Sequence, residues 1–211
     1  MLISLKHSIL NTGTVSLLSL SSLALANPSY AVSIDLTSWN KIGDVNPITS
    51  DQATLNSGTL NTVATGGGAG SLEEFLGVSA GSLDPDPDNF VFSTFGSAIK
   101  TTFAGIQAGD VFNFEWSFST SDPDSAFVTI NNLVIPLAAS GKVFKYPFTK
   151  AGNYSVGIGI VDVNDAIGGS QFTVSNANLK PVPEPLTILG SLTALSFGVA
   201  MRSRFGKKNS V

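Results

Sequence analysis

The sequence contains no cysteine, and its single histidine is His7. A domain formed by the rest of the chain therefore cannot hold a Ser-His-Asp triad, a Cys-His pair, a histidine-bound zinc or a thiol redox centre. Because it has no disulfides, such a domain must be stabilised by its hydrophobic core, which a segment of about 150 residues is large enough to supply.

Basic residues are also scarce, and several of them lie near the two ends of the chain. Residues 32–180 contain fourteen Asp and Glu residues but only six Lys, a formal charge of −8, whereas the whole chain carries −4. A surface of this charge does not attract nucleic acid or anionic lipid. We therefore expect no nucleic-acid partner.

The N-terminus has the pattern of a secretory signal peptide. A weakly basic start precedes an apolar stretch from Ile9 to Leu25, and small residues suited to signal peptidase follow it. Cleavage after Ala31 would make residues 1–31 the signal peptide and would release a chain that begins with VSIDLTSW. Cleavage after Ala26 is the alternative. Polar residues inside the apolar stretch disfavour a retained membrane helix.

Residues 32–180 predict an all-β domain, because short alternating apolar runs are separated by Gly, Asn, Asp, Ser and Pro. In Asp110–Ser119 aromatic residues occupy every second position, as in a strand with one buried face. Asn153–Asp162 alternates as well, with glycines on one side. Those glycines leave either space for a packed neighbour, which we favour, or a shallow ligand groove.

The number and spacing of the remaining strands predict two packed antiparallel sheets. These strands are Ser33–Leu36, Thr59–Val63, Asn89–Ser93, Ser97–Phe103, Ala126–Asn131, Leu133–Leu137, Val143–Phe148 and Ser170–Ser175. Asn131 and Asn132 predict a hairpin turn. One helix is predicted over Ser71–Ser79, with a capping box at its start and Gly77 at its end.

One acidic segment is a candidate calcium site. LDPDPDNF alternates carboxylates on a loop that prolines stiffen, and oxygen ligands of this kind suit Ca²⁺. The candidate ligands are Asp84, Asp86, Asp88 and Asn89. The segment lacks the glycine and the distal glutamate of an EF-hand. A solvated acidic loop is therefore the alternative.

Two further segments, SDPDSA (Ser121–Ala126) and VDVNDA (Val161–Ala166), share this acidic composition. A calcium site would be better supported if two of the three acidic segments met at one end of the domain.

Catalysis by carboxylates alone finds little support in the sequence. The glutamates before residue 180 are Glu73, Glu74 and Glu115, and no spacing among them indicates a glycosidase pair. Glu115 is predicted to face solvent. Trp39 and Trp116 are predicted to be core residues rather than sugar-stacking platforms, unless Trp39 is exposed. We expect no enzymatic activity.

The C-terminal segment, residues 181–211, has three parts. Pro183, Glu184 and Pro185 precede sixteen uncharged residues, Leu186 to Met201, and a basic end follows. As a helix this stretch would measure about 24 Å, which is short of a bilayer core of about 30 Å. The order of motif, apolar span and basic end at a C-terminus is that of a processed sorting signal.

This segment resembles the PEP-CTERM sorting domain of Gram-negative bacteria, and Pro183, Glu184 and Pro185 match its motif. The resemblance implies recognition by an exosortase, a membrane-embedded transpeptidase that cuts near the motif and is associated with exopolysaccharide production. It also implies that Leu186 to Met201 anchors the protein in the membrane before processing, and that the mature protein resides at the cell surface or in the extracellular matrix.

Three segments of the domain resemble the jelly-roll ectodomains of cyanobacterial PEP-CTERM proteins: Gly96–Thr120, Ala126–Ile130 and Ala151–Asp165. This resemblance implies a jelly-roll-like β-sandwich over residues 32–180, but no activity. We expect an exported protein with a structural or exopolysaccharide-associated role. The alternatives are a lectin-like module, calcium-dependent or not, and a carboxylate-only glycoside hydrolase.

Overall fold

The structure is a computed structural model, and it describes residues 30–120, 123–138, 142–164 and 169–182. In these ranges no helix is long and apolar enough to cross a membrane. The sorting motif Pro183–Pro185, the predicted span Leu186 to Met201 and nearly all of the predicted signal peptide lie outside the described residues.

Twelve strands and one short α-helix are formed in the described ranges. The strands are β1 (Val32–Ser33), β2 (Asn40–Ile42), β3 (Val45–Ile48), β4 (Gln52–Asn56), β5 (Val63–Ala64), β6 (Ser93–Ile106), β7 (Val111–Ser119), β8 (Ser125–Ile130), β9 (Leu133–Leu137), β10 (Val143–Pro147), β11 (Gly152–Val163) and β12 (Gln171–Lys180). The helix is α1 (Leu72–Leu76), and two 3₁₀ turns cover Leu36–Ser38 and Pro87–Asn89.

These strands form two antiparallel sheets of six strands, which confirms the predicted β-sandwich. The first sheet has the order β10, β7, β12, β4, β3, with β1 also paired to β12. The second has the order β2, β6, β11, β8, β9, with β5 also paired to β6.

The core between the sheets is rich in aromatic residues, as the alternation in β7 predicts. Phe112, Phe114 and Trp116 are buried on one face of β7 and belong to the same hydrophobic cluster as Ile158 on β11. Trp39 is only 5% exposed and lies in this cluster, so both tryptophans are core residues, as predicted. Complete burial of such side chains contributes roughly 1.5–3 kcal/mol each.

The outer face of the second sheet is covered by the segment that contains α1. Leu72 and Leu76 pack with Phe127 in a second apolar cluster. A Cβ added at Gly157 would overlap Leu76, and one added at Gly159 would overlap the ring of Phe127. The glycine strip of β11 is therefore filled by neighbouring side chains, which confirms the packing interpretation over a ligand groove.

The Ser71 cap and the terminating glycine of α1 act as predicted, whereas the Glu74 carboxylate of the predicted capping box accepts from the N–H of Gly70 instead of Ser71. Ser71 Oγ accepts a hydrogen bond of 3.2 Å from the backbone N–H of Glu74, and Gly77 ends the helix with a φ of +78°. Glu73 is buried, and its carboxylate accepts hydrogen bonds from the N–H groups of Gly66 (2.9 Å) and Gly67 (3.4 Å). These contacts hold the glycine-rich connector against the helix.

Three strand predictions are wrong. Of Ser33–Leu36, only Ser33 is in a strand, because Asp35 caps a 3₁₀ turn that begins at Leu36. Only Val63, of the predicted strand Thr59–Val63, is in a strand, because residues 57–62 form a loop. Of Asn89–Ser93, only Ser93 is in a strand: a 3₁₀ turn ends at Asn89, and Phe90 adopts a left-handed φ of +61°. That backbone conformation is incompatible with an extended strand.

The connections between strands cluster at one end of the sandwich, here named the loop end. Gln171 at the start of β12 lies opposite both Asn56 and Ser119, and Ser93 lies opposite Val163. The loops after β4, before β6, after β7 and after β11 therefore share this end. At the other end, the terminal end, Val32 pairs with Leu179, so the chain enters and leaves the domain side by side.

Candidate functional site

The loop end is held together by a buried hydrogen-bond cluster. Asp124 Oδ2 accepts a hydrogen bond of 2.5 Å from Ser57 Oγ, and its Oδ1 accepts one of 3.2 Å from the N–H of Val163. Ser57 Oγ in turn accepts from the N–H of Ser170 at 3.0 Å. Because these residues belong to both sheets, the cluster fixes the positions of the loops that surround it.

Two exposed aromatic side chains lie on the loop that precedes β6. Phe90 is 78% exposed and Phe92 is 41% exposed, and their rings meet edge to face at a centroid distance of 6.4 Å. Phenylalanine is seldom this exposed, and φ values above zero are rare for bulky residues such as Phe90. Strain of this kind in an exposed segment is typical of functional sites.

The loop that carries these rings, residues 83–92, is braced at several points. The backbone groups of Asp86 and Val91 exchange two hydrogen bonds, of 3.0 and 3.3 Å. The N–H of Phe92 donates to Asn164 Oδ1 at 2.9 Å, and the N–H of Asn164 donates to the carbonyl of Phe92 at 2.9 Å. The two rings are thus presented on a constrained backbone, which lowers the entropy lost when a ligand binds.

A shallow pocket of about 280 Å³ opens beside the start of β6. Its lining residues are Gly58, Thr59, Leu60, Thr62 and Phe95. Leu60 is fully exposed, while Thr59 Oγ1 donates to Asp44 Oδ2 at 2.8 Å. The pocket combines apolar side chains with hydroxyl groups, but it is more open and smaller than typical small-molecule sites.

The four proposed calcium ligands lie in the loop end, and some of their oxygens have partners. Asp84 Oδ1 accepts hydrogen bonds from the N–H (2.9 Å) and the hydroxyl (2.7 Å) of Ser93. Asp86 Oδ2 accepts from Asn89 Nδ2 at 2.7 Å, and Asp88 is exposed. In the part of the chain that the structure describes, no three His, Asp or Glu side chains are grouped so as to hold a metal ion.

The described parts of the three acidic segments nevertheless lie at this end. Val161 lies opposite Ser125, and Ser93, which follows the first segment, lies opposite Val163. This is the arrangement that we expected to support calcium, but it does not establish a site. Calcium at Asp84, Asp86, Asp88 and Asn89 stays a prediction.

The exposed aromatic residues of the loop end were not foreseen from the sequence. In the strand predicted over Asn89–Ser93, Phe90 and Phe92 share one face, which reads as a buried face. The signal that could have exposed the error is the run DPDPDN immediately before them, since alternating prolines and carboxylates favour an exposed turn. The predicted position of Glu115 is correct: it is exposed and accepts a hydrogen bond of 2.9 Å from Asn176 Nδ2.

No protein-family model and no curated protein sequence matches this chain. Among solved structures, the chain is similar to the carbohydrate-binding module TmCBM61, determined in complex with β-1,4-galactotriose. The identity is 8%, the TM-score is 0.41, and the alignment covers 74% of this chain and 100% of that module. At this level of similarity nothing about the ligand of this protein follows.

Proposed function

We propose that this chain is an exported β-sandwich of the jelly-roll type that associates with exopolysaccharide at the cell surface, and that its role is binding rather than catalysis. The observation that carries the proposal is the exposed pair Phe90 and Phe92 on the braced loop. Flat apolar rings present a large contact area at a low cost in conformational entropy, and the C–H face of a sugar ring is a matching surface.

The polar groups of the loop end support the same proposal. Carboxylate, amide and hydroxyl groups from Asp86, Asn89 and Thr59 lie in the loops of the same end. Sugar hydroxyls both donate and accept hydrogen bonds, and a site with apolar contact area and a few polar groups can orient such a ligand. An apolar partner protein would need a larger and less polar surface.

The geometry of the domain also suits a tethered protein. Val32 and Leu179 pair at the terminal end, and Val182 is held there by Asp110. The described chain therefore leaves the domain at the terminal end, which is opposite the loop end. We propose that Pro183, Glu184 and Pro185 are read by an exosortase, that Leu186 to Met201 is the membrane anchor before processing, and that residues 1–31 direct export.

The sorting proposal has its own test. Intact-mass measurement of protein released from the cell surface is expected to show that the residues beyond Pro183–Pro185 have been lost. Recovery of mature protein that still ends at Val211 would contradict it. Mass loss at the N-terminus, measured in the same spectrum, distinguishes cleavage after Ala31 from cleavage after Ala26.

The binding proposal is tested on the full-length protein, in a detergent whose headgroup is not a sugar. The protein is expected to be retained on the exopolysaccharide of the producing organism, with calcium and with chelator compared side by side. Loss of retention only with chelator would favour the calcium-dependent alternative. Absence of retention in both conditions would contradict the proposal and would leave a purely structural role.

A further inference from the structure

We infer that the loop end selects neutral polysaccharides and disfavours anionic ones such as polyuronates. This inference rests on the proposed function, and it concerns the charge of the ligand. It is carried by the distribution of charged side chains in the domain relative to Phe90 and Phe92.

The aromatic pair lies in a segment whose charged residues are all acidic. Asp86 and Asp88 are exposed and precede Phe90 by four and two residues. The Cα atoms of Asp88 and Phe90 are less than about 8 Å apart, because consecutive Cα atoms are separated by about 3.8 Å. The carboxylate of a uronate ring stacked on Phe90 would therefore be bound next to a negatively charged part of the loop, and repulsion over such short distances is only partly screened at physiological salt.

The loop that carries the aromatic pair has no cationic side chain to offset this repulsion. The sequence has no Lys or Arg in residues 42–99, 101–141 or 151–179, which include the loops after β4, before β6, after β7 and after β11. Lys142 ends the connection between β9 and β10, where its carbonyl accepts a hydrogen bond of 2.9 Å from the N–H of Trp116. It therefore lies at the edge of the first sheet, whereas the aromatic loop leads into β6 of the second sheet. Lys41 and Lys100 are level with the middle of β6, and Lys145 pairs with Asn113 in β7. Lys180 lies at the terminal end, opposite Val111.

The same carboxylates favour neutral sugars. Asp88 and the second oxygen of Asp86 can accept hydrogen bonds from sugar hydroxyls, and hydrogen bonds to an ionised acceptor are about twice as strong as neutral ones. A neutral polymer gains these contacts without the charge repulsion. Recognition of carboxylate or sulfate groups would instead require Arg or Lys, which are the side chains suited to anions.

The inference is tested with two polymers that share one backbone: a polyuronate and the same polyuronate after chemical reduction of its carboxyl groups. Binding of the full-length protein is measured at low and at physiological ionic strength. At low ionic strength the reduced, neutral polymer is expected to bind at least tenfold more tightly. Added salt is expected to narrow that difference, because it screens the repulsion.

Charge reversal provides a matched pair of variants. Asp88→Lys is expected to raise the affinity for the native polyuronate severalfold and to lower the affinity for the reduced polymer, because the sugar hydroxyls lose an ionised acceptor. The control is Asp51→Lys, which makes the same charge change in the turn between β3 and β4, at the far end of β4, and is expected to affect neither polymer.

The outcomes separate the two proposals. Equal or tighter binding of the native polyuronate, abolished by Phe90→Ala/Phe92→Ala, would overturn the neutral-ligand inference and keep the proposed function. Binding that is unaffected by the aromatic substitutions would overturn both. If neither polymer nor the exopolysaccharide of the producing organism is bound, the proposed function fails, and the inference fails with it.

Discussion

Ser57 Oγ donates a hydrogen bond of 2.5 Å to Asp124 Oδ2, and this bond joins the two sheets at the loop end. Ser57 follows the last residue of β4 in the first sheet, and Asp124 precedes β8 in the second. Both side chains are buried. The loops after β4, after β7 and before β12 are therefore joined by polar contacts inside the domain.

Removal of this hydroxyl should destabilise the domain. Ser57→Ala leaves the Asp124 carboxylate and the N–H of Ser170 each without one hydrogen bond. A buried group that loses its partner costs about 1–3 kcal/mol. The free energy of unfolding, measured with urea, is expected to fall by that amount. Ser117→Ala, on the exposed face of β7, is the control and is expected to change it by less than about 0.5 kcal/mol.

The filled glycine strip of β11 predicts a steric effect. Gly159→Ala places a methyl group against the ring of Phe127 and is expected to destabilise the protein by about 1–3 kcal/mol through overpacking. Gly68→Ala is a suitable comparison, because a Cβ at Gly68 meets no atom within 4 Å. If both variants unfolded at the same urea concentration, the close packing at Gly159 would be refuted.

Asp110 should determine how firmly the C-terminal end of the domain is held. Its buried carboxylate accepts hydrogen bonds from the N–H groups of Gln107 (2.9 Å) and Val182 (3.0 Å). Asp110→Ala is expected to lower the free energy of unfolding by about 1–3 kcal/mol. It should also accelerate protease cleavage near Val182 under native conditions. Unchanged cleavage kinetics would argue against this role.

The aspartates of the acidic loop should differ in their contribution to stability. Asp84 accepts two hydrogen bonds from Ser93, whereas Asp88 is exposed. Asp84→Ala is therefore expected to reduce stability by about 1–3 kcal/mol and Asp88→Ala by less than about 0.5 kcal/mol, both measured by urea unfolding in the presence of chelator. Similar losses from the two substitutions would contradict a stabilising role for the Asp84–Ser93 hydrogen bonds.

Much of the fold could be predicted because its core strands alternate strongly. In β7 the aromatic residues Phe112, Phe114 and Trp116 recur at the period of a strand, and the capping residues Ser71 and Gly77 fix the helix. The predicted two-sheet architecture followed from such local signals.

Strands without this alternation were missed. β4 reads QATLN, in which Ala53, Thr54 and Leu55 are all buried because the strand is covered on both faces. Because the strand also contains polar residues, its burial cannot be recognised from the pattern of apolar residues in the sequence. β2 and β3 are short strands that also lack this alternation, and the sequence prediction missed them too.

The site could be predicted only in part. Asp84, Asp86 and Asp88 lie in the loop before β6, whereas Asp162 of the third acidic segment lies in β11. The sequence could not indicate that the described parts of three distant acidic segments lie at one end, since strand order is a tertiary property. The exposure of Phe90 depends on its left-handed backbone conformation. Side-chain type alone favours burial for phenylalanine, so its exposure could not be read from the sequence.

The most direct test of the account uses a neutral polysaccharide on which the wild-type protein is retained. The affinity of the full-length wild-type protein for this polymer is compared with that of the double variant Phe90→Ala/Phe92→Ala. The account predicts a loss of about tenfold or more, equivalent to about 1.4 kcal/mol, with an unchanged free energy of unfolding. Leu133→Ala, at an exposed apolar residue of β9 away from the loop end, should retain full affinity. Full affinity in the double aromatic variant would contradict the central claim.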